Sequence, residues 1–112
     1  MQRPARLRGN AVFEPLRKQG RRWHHPLATL VVRPNEVGIS RFGYAAGRRV
    51  GRAVARNRAK RLLREAVRRQ AGRVRPAWDC LLIAREQTPL ASLAEVEAAV
   101  LELFGRARIL IQ

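Results

Sequence analysis

The feature that most limits the fold of this chain is a cationic segment over residues 41–75, which carries thirteen Lys or Arg side chains and one acid, Glu65. Charge runs of this density usually stay unfolded because like charges repel one another. Within the segment, however, apolar residues recur at helical spacing: Ala55, Ala59, Leu62, Leu63, Ala66 and Val67. A stripe with that period can dock on a hydrophobic core. We therefore expect a basic amphipathic helix over residues 52–70, suited to binding a polyanion.

The cations of this helix are predicted to lie opposite its apolar stripe. On a helix of about 3.6 residues per turn, one polar arc of roughly 100° contains Asn57, Lys60, Arg61, Arg64 and Arg68. Arg58 and Arg69 flank Glu65 on a third sector, where i,i+4 charge pairs stabilise a helix by only about 0.2–0.5 kcal/mol each. Most of these cations are therefore expected to lack an internal partner.

The charge of the whole chain points to the same class of ligand. The 112 residues include 24 Lys or Arg against 8 Asp or Glu, which gives a net charge of +16. Such a field opposes compactness unless a polyanion neutralises it. Most of the cations are Arg, whose planar fork matches phosphate geometry, so nucleic acid is favoured over an anionic membrane surface.

Two features bear on the cellular compartment. Cys80 is the single cysteine, so no internal disulfide can form, and its apolar neighbours predict a buried thiol. Residues 1–6 contain no signal-peptide core, and no segment approaches the roughly twenty apolar residues that span a bilayer. A cytoplasmic protein is expected.

The remaining patterns predict a single two-layer α+β domain over residues 1–112, with helices on a small sheet. Residues 1–8 and 106–112 are expected to form tails. The predicted elements are a helix at 10–20, a strand at 27–33, its hairpin partner at 37–46, a glycine-bounded turn at 47–51, the basic helix, a strand at 78–85 buried on both faces, and a helix from 92 to 104. Ser92 and Glu95 have the spacing of a capping box for the last helix.

Residues 47–64 read GRRVGRAVARNRAKRLLR, and this string resembles the signature of the bacterial ribonuclease P protein component, whose motif is named after its Arg-Asn-Arg core. The helix around Phe13 is similar to the first helix of that family, and the strand that Trp78 opens is similar to its last strand. The resemblance implies the order α-β-β-β-α-β-α, with a left-handed βαβ crossover around the motif helix.

The resemblance also implies a function, which is that of an accessory subunit of a ribonucleoprotein endonuclease. In this family a catalytic RNA and its bound Mg²⁺ remove the 5′ leader of precursor tRNA, and the protein binds the leader and supports the RNA. The implied partners are the catalytic RNA and precursor tRNA, without a membrane or an obligate protein partner. No catalytic residue and no metal ligand is expected in the protein itself.

Carried over residue by residue, the resemblance and the basic face together give three groups of RNA-binding side chains. On the motif helix they are Arg52, Arg56, Asn57, Arg58, Lys60, Arg61, Arg64 and Arg68. At the end of the preceding strand they are Arg48 and Arg49, and in the leader cleft between the first helix and the sheet they are Phe13 and Arg17. Arg17 stands where the family often has a second aromatic, so leader stacking is expected to be weaker here.

Two other functions stay open at this stage. A ribosomal or other structural RNA-binding protein of related fold, or a nucleoid protein that binds DNA, would also carry a basic helix. Enzymatic alternatives find less support, because His24 and His25 lie in a basic turn without the further Cys or His of a metal site. No acid and histidine form an evident pair for acid–base catalysis.

Overall fold

The structure, a computed structural model, describes residues 5–7 and 10–111 of the chain. In chain order its helices and strands are β1 (Ala5–Arg6), α1 (Asn10–Gln19), β2 (Arg21–His25), β3 (Ala28–Pro34), β4 (Arg41–Ala45), α2 (Ala53–Gln70), β5 (Trp78–Ala84) and α3 (Leu93–Arg106). Short 3₁₀ turns occupy Arg48–Val50, Ala71–Arg73 and Thr88–Leu90. Apart from the two-residue strand β1, this is the order that the resemblance implies.

The strands form one mixed sheet in the order β1-β4-β5-β3-β2. β4 runs parallel to both β1 and β5, whereas β3 runs antiparallel to both β5 and β2. The parallel neighbours β4 and β5 are joined through α2, so the expected βαβ crossover around the basic helix is present. As a result, α2 packs directly on β4 and β5.

β5 lies at the centre of the sheet because it is apolar at almost every position. Cys80, Leu81 and Leu82 are fully buried, although alternate residues of a strand point to opposite faces. The backbone of β5 pairs with β3 on one side and with β4 on the other. The prediction of a strand buried on both faces is confirmed, and this burial raises the pKa of the Cys80 thiol.

The predicted hairpin between residues 27–33 and 37–46 is wrong. β3 forms its hairpin with β2, and β5 separates β3 from β4. The sequence predicts β2 as a basic turn because only Trp23 among its residues strongly favours a strand. Arg21 and Arg22 are tolerated because β2 is an edge strand, where charged side chains can reach solvent.

The two faces of the sheet serve different helices. The face beneath α2 and α3 buries Leu30, Val32, Phe42, Cys80 and Leu82, among others. On the opposite face Val31 and Leu81 pack against Leu16 of α1, while Ala45 and Ile83 stay partly exposed beside them. The expected layer of helices on a sheet is therefore present, and α1 forms a partial layer on the other face.

The predicted capping box of the last helix is confirmed. The Glu95 backbone N–H donates to Ser92 Oγ at 3.1 Å, and the Ser92 backbone N–H donates to Glu95 Oε1 at 2.9 Å. These reciprocal bonds satisfy two donors that a helix start otherwise leaves unpaired. From this start, α3 turns Val96, Val100 and Leu103 into the core.

The expected tails are described in part, because residues 1–4, 8–9 and 112 lie outside the described residues. In the N-terminal part, β1 pairs with β4 and Leu7 is buried. In the C-terminal part, Ile109 is fully buried and Leu110 bridges to Val74. The described residues of both ends therefore pack on the domain, since their apolar side chains have core to contact.

Candidate nucleic-acid interface

α2 buries one side on the sheet and turns the opposite side to solvent. Ala59, Leu63 and Val67 are fully buried, on the side that contacts β4 and β5. Several polar side chains make no hydrogen bond or ion pair with the described part of the chain: Arg52, Arg56, Asn57, Lys60 and Arg61. This part of the helix therefore carries positive charge that the described residues do not compensate.

The acids that contact α2 lie on its flank toward α3. Glu65 accepts hydrogen bonds from Arg68 Nη2 at 2.6 Å and Nε at 2.9 Å, and from Arg69 Nε at 3.4 Å. Glu97 of α3 accepts from Arg69 Nη1 at 3.4 Å and from Gln70 Nε2 at 3.0 Å. The hydrogen bond from Arg68 lowers the pKa of Glu65 to about 2. Ion pairs within the protein thus neutralise this flank.

Two cations of the predicted RNA-binding set donate hydrogen bonds to other groups of the protein. Arg68, which the helical wheel groups with the unpaired cations, forms an ion pair with Glu65. Arg58 Nε donates to the Pro89 carbonyl at 2.8 Å and does not pair with Glu65 as its sector suggests. A wheel gives the direction of a side chain but not the groups that a neighbouring element brings to it. Arg58 keeps its full charge because a carbonyl is neutral.

Arg64 is held by an aromatic ring. Its guanidinium carbon lies 5.6 Å from the centre of the Tyr44 ring, which is a cation–π distance. Burial raises the pKa of the Tyr44 hydroxyl, so this partner is uncharged. Tyr44 is absent from the residues predicted from sequence. We refer to Asn57, Lys60, Arg61 and Arg64 together as the open flank of α2.

The basic pair before α2 lies on a 3₁₀ turn. Arg48 and Arg49 are exposed, and buried Val50 fixes the turn against α2. The pair forms one wall of an open groove of about 750 Å³, whose other walls include His24 and Arg85. The predicted strand-end cations therefore extend the positive surface from α2 toward the hairpin of β2 and β3.

Phe13 lies between α1 and the sheet, where the resemblance places a cleft residue. Its ring is half-buried and packs in one cluster with Leu16. Gly43 of β4 leaves room for the ring, because a Cβ atom at that position would lie 2.7 Å from Phe13 Cε1. Arg17 is exposed one turn further along α1, and its carbonyl accepts from Arg22 Nη2 at 2.9 Å. The predicted cleft residues thus place a half-buried aromatic ring and an exposed guanidinium on neighbouring turns of α1.

Arg41, one of the thirteen cations of residues 41–75, is neutralised at the sheet. The carboxylate of Asp79 is buried and accepts from Arg41 Nε at 2.9 Å and Nη2 at 2.8 Å. Asn35 Nδ2 donates to the same carboxylate at 2.8 Å. The hydrogen bond to Asp79 raises the pKa of Arg41. This group joins the loop after β3 to β4 and β5, so its role is structural.

The two adjacent histidines contact separate elements. His24 Nδ1 lies 3.1 Å from Thr29 Oγ1, and His25 Nε2 lies 3.7 Å from Glu102 Oε2. Within residues 5–7 and 10–111, no three His, Cys, Asp or Glu side chains are grouped so as to hold a metal ion. Over those same residues, no helix is both long and apolar enough to cross a membrane.

Comparison with known sequences gives one family. The sequence profile described as Ribonuclease P matches residues 1–108. A ribonuclease P protein component from Herpetosiphon aurantiacus is 38% identical over 109 residues, which cover 97% of this chain and 89% of that protein. Another from Symbiobacterium thermophilum is 40% identical over 111 residues, which cover 98% of this chain and 96% of that protein.

Solved structures share the fold. The ribonuclease P protein of Staphylococcus aureus superposes with a TM-score of 0.84 at 23% identity, over 97% of this chain and 100% of that one. The ribonuclease P protein of Thermotoga maritima superposes with a TM-score of 0.80 at 28% identity, over 90% of this chain and 96% of that one. The whole domain, including the crossover around the basic helix, is therefore similar to these proteins.

Proposed function

We propose that this chain, which belongs to the ribonuclease P protein family, binds the ribonuclease P RNA together with the 5′ leader of precursor tRNA. As a member of that family it is a protein component of an RNA-based endonuclease. In this proposal the RNA performs phosphodiester hydrolysis. The protein supplies a cationic surface and a cleft for the leader. The joint product is a tRNA with a mature 5′ end.

The observation that carries this proposal is the open flank of α2. Lys60 and Arg61 have no partner among the described residues. The acids that contact the helix form ion pairs with arginines on the flank toward α3. Unpaired cations on a rigid helix can replace the counterions that surround a nucleic-acid backbone, and the release of those counterions favours binding. Arg48 and Arg49 continue the same surface at the start of the helix.

The cleft beneath α1 is the proposed site of the leader. Phe13 offers part of its ring to a base, and base-on-aromatic stacking contributes about 1–3 kcal/mol per base. Exposed Arg17 and Arg22 at the rim can contact phosphates on either side of such a base. Stacking on any base is tolerant of sequence, which suits a subunit that must accept many different leaders.

The Mg²⁺ ions of the reaction are proposed to bind the RNA and the substrate. Mg²⁺ prefers carboxylate and phosphate oxygens, and within residues 5–7 and 10–111 no three or more His, Cys, Asp or Glu side chains are grouped to hold a metal ion. Glu65, Glu97 and Asp79 instead bind arginines. The contribution of the protein is therefore to add fixed positive charge where two RNA molecules meet.

Adding the protein to the catalytic RNA should lower the Mg²⁺ concentration needed for half-maximal cleavage of precursor tRNA. Cations of the protein neutralise phosphates that Mg²⁺ must otherwise screen. The measurement is the initial rate of leader removal against Mg²⁺ concentration, with and without protein. A polyarginine peptide of equal net charge is the control for unspecific screening. An unchanged Mg²⁺ requirement, or leader removal by the protein without RNA, would contradict the proposal.

Phe13→Ala should weaken binding of leader-bearing tRNA by roughly 5- to 150-fold, which corresponds to the removal of one stacking platform. Mature tRNA should be affected far less. Gly43→Ala should have a similar selective effect, because the added Cβ displaces the Phe13 ring. We also expect Gly43→Ala to destabilise the fold by about 1–3 kcal/mol, as other overpacked sites do.

Gly47→Ala is the matched control for Gly43→Ala, because no heavy atom beyond its two sequence neighbours lies within 4 Å of a Cβ built at Gly47. It should leave both stability and leader binding unchanged. Both affinities are measured by fluorescence anisotropy, with thermal unfolding of each variant alongside. Equal losses for leader-bearing and mature tRNA would show that Phe13 serves only the core.

A further inference from the structure

Tyr44 restrains Arg64 without neutralising it. Arg64 makes no hydrogen bond or ion pair with the described residues. Arg68, one turn further along α2, is held by the carboxylate of Glu65 at 2.6 Å. A carboxylate cancels the charge that it orients, whereas an aromatic ring attracts a cation through its quadrupole and leaves the net charge intact.

The contact also separates the nitrogens of Arg64 into an inner and an outer set. Nε is buried and has no hydrogen-bond partner, and no other nitrogen of the Arg64 side chain is both buried and unpaired. Nη1 and Nη2, which make no hydrogen bond with the described residues either, are therefore not fully buried. The edge that they form can bind a phosphate through two parallel hydrogen bonds. A long side chain loses rotamer freedom when it binds, and the ring already restricts Arg64.

Tyr44 lies at the rim of the core. It follows Phe42 by two residues in β4, so both side chains point to the face beneath α2. Phe42 is 2% exposed, and its ring centre lies 6.2 Å from that of Phe104. Tyr44 is only partly buried, and the charges of Arg64 and Arg6 both act on its hydroxyl group. Its ring thus faces the cationic surface of the protein.

We propose that Tyr44 is a positioning residue of the RNA interface, which orients Arg64 so that its outer edge binds a backbone phosphate of RNA. This inference rests on the proposed function of the open flank. Tyr44 itself need not touch the RNA, because it acts through the guanidinium that lies over its ring.

Tyr44→Leu, which removes the ring and keeps an apolar side chain, should weaken binding of a ribonuclease P RNA transcript by about five-fold. Tyr44→Phe retains the ring and should keep affinity within about two-fold of the parent. Affinities are measured by filter binding well below the thermal midpoint of each variant. A loss of affinity shared equally by Tyr44→Phe would overturn the proposal, because the hydroxyl group and not the ring would then be responsible.

A double-mutant cycle with Arg64→Ala separates positioning from a general effect on the fold. If Tyr44 acts through Arg64, Tyr44→Leu should have no further effect in the Arg64→Ala background. An equal loss in both backgrounds would overturn the proposal, as would unchanged affinity for Tyr44→Leu or Arg64→Ala.

Arg61→Ala, at a side chain with no partner among the described residues, reports separately on the open flank. If Arg61→Ala weakens binding and Tyr44→Leu does not, the proposed function stands and the inference fails.

Discussion

Replacing Arg61 and Arg64 together with Ala should weaken binding of the ribonuclease P RNA by roughly 100-fold or more at low salt, since each charge-assisted hydrogen bond contributes about 1.5–3 kcal/mol. The slope of log affinity against log salt concentration should fall by about one unit for each phosphate that the variant no longer neutralises. The measurement is a salt titration of RNA affinity for the parent and the variant. A change in slope is diagnostic because it counts displaced counterions and does not depend on how well the protein folds.

The matched control is the double substitution Arg69→Ala and Arg73→Ala, which removes the same charge from the C-terminal part of the same segment. Arg69 is already paired with Glu65 and Glu97, and Arg73 lies beyond the end of α2. This variant should lose little affinity and keep most of its slope. If both double variants lost slope equally, net charge and not the open flank would govern RNA binding.

Asp79→Ala should destabilise the fold by about 3 kcal/mol, at the lower end of the range for breaking a buried ion pair. For a domain of this size that is a fall in thermal midpoint of roughly 10–15 °C. The cost arises because Arg41, whose side chain is 30% exposed, loses its carboxylate, and the Asn35 amide loses an acceptor. Thermal and urea unfolding followed by circular dichroism measure the effect.

Glu65→Gln is the comparison for Asp79→Ala, because it breaks ion pairs at a solvent-exposed site. Its effect on the thermal midpoint should be much smaller, since water and salt screen exposed pairs. RNA binding by Asp79→Ala, measured well below its thermal midpoint, should be retained because the open flank is untouched. A thermal midpoint for Asp79→Ala within a few degrees of the parent would show that the pair contributes little.

The sequence predicts α2, α3 and β5 correctly because each has a local signature. The basic helix has its apolar stripe, α3 has the Ser92 and Glu95 cap, and β5 has an uninterrupted apolar run. Strand pairing has no such signature, which is why the predicted hairpin is wrong. The polar strand β2 is recognisable only once β3 is known to need an edge neighbour, because its composition resembles that of a turn.

The sequence predicts which way the side chains of the candidate site point, but not which groups of the protein they contact. The helical wheel places Asn57, Lys60, Arg61 and Arg64 together, and the structure keeps them together. The wheel could not show that Arg68 is paired, because the Glu65 carboxylate can turn toward cations on either side of it. Two further signals were available: Asp79 is a lone acid at the start of a buried strand, which implies a cationic partner, and Tyr44 is an aromatic residue shortly before a basic helix.

The late position of β5 in the chain has a consequence for how the particle is assembled. β3 and β4 do not pair with each other, and they join one sheet only when β5 pairs with both. Joining segments so distant along the polypeptide is slow, because a long loop must close first. A chain interrupted before Trp78 would lack β5, so α2 and its arginines would have no complete sheet to pack on. We therefore expect the sheet beneath α2 to form only after β5 has emerged from the ribosome, and docking onto the ribonuclease P RNA to follow it.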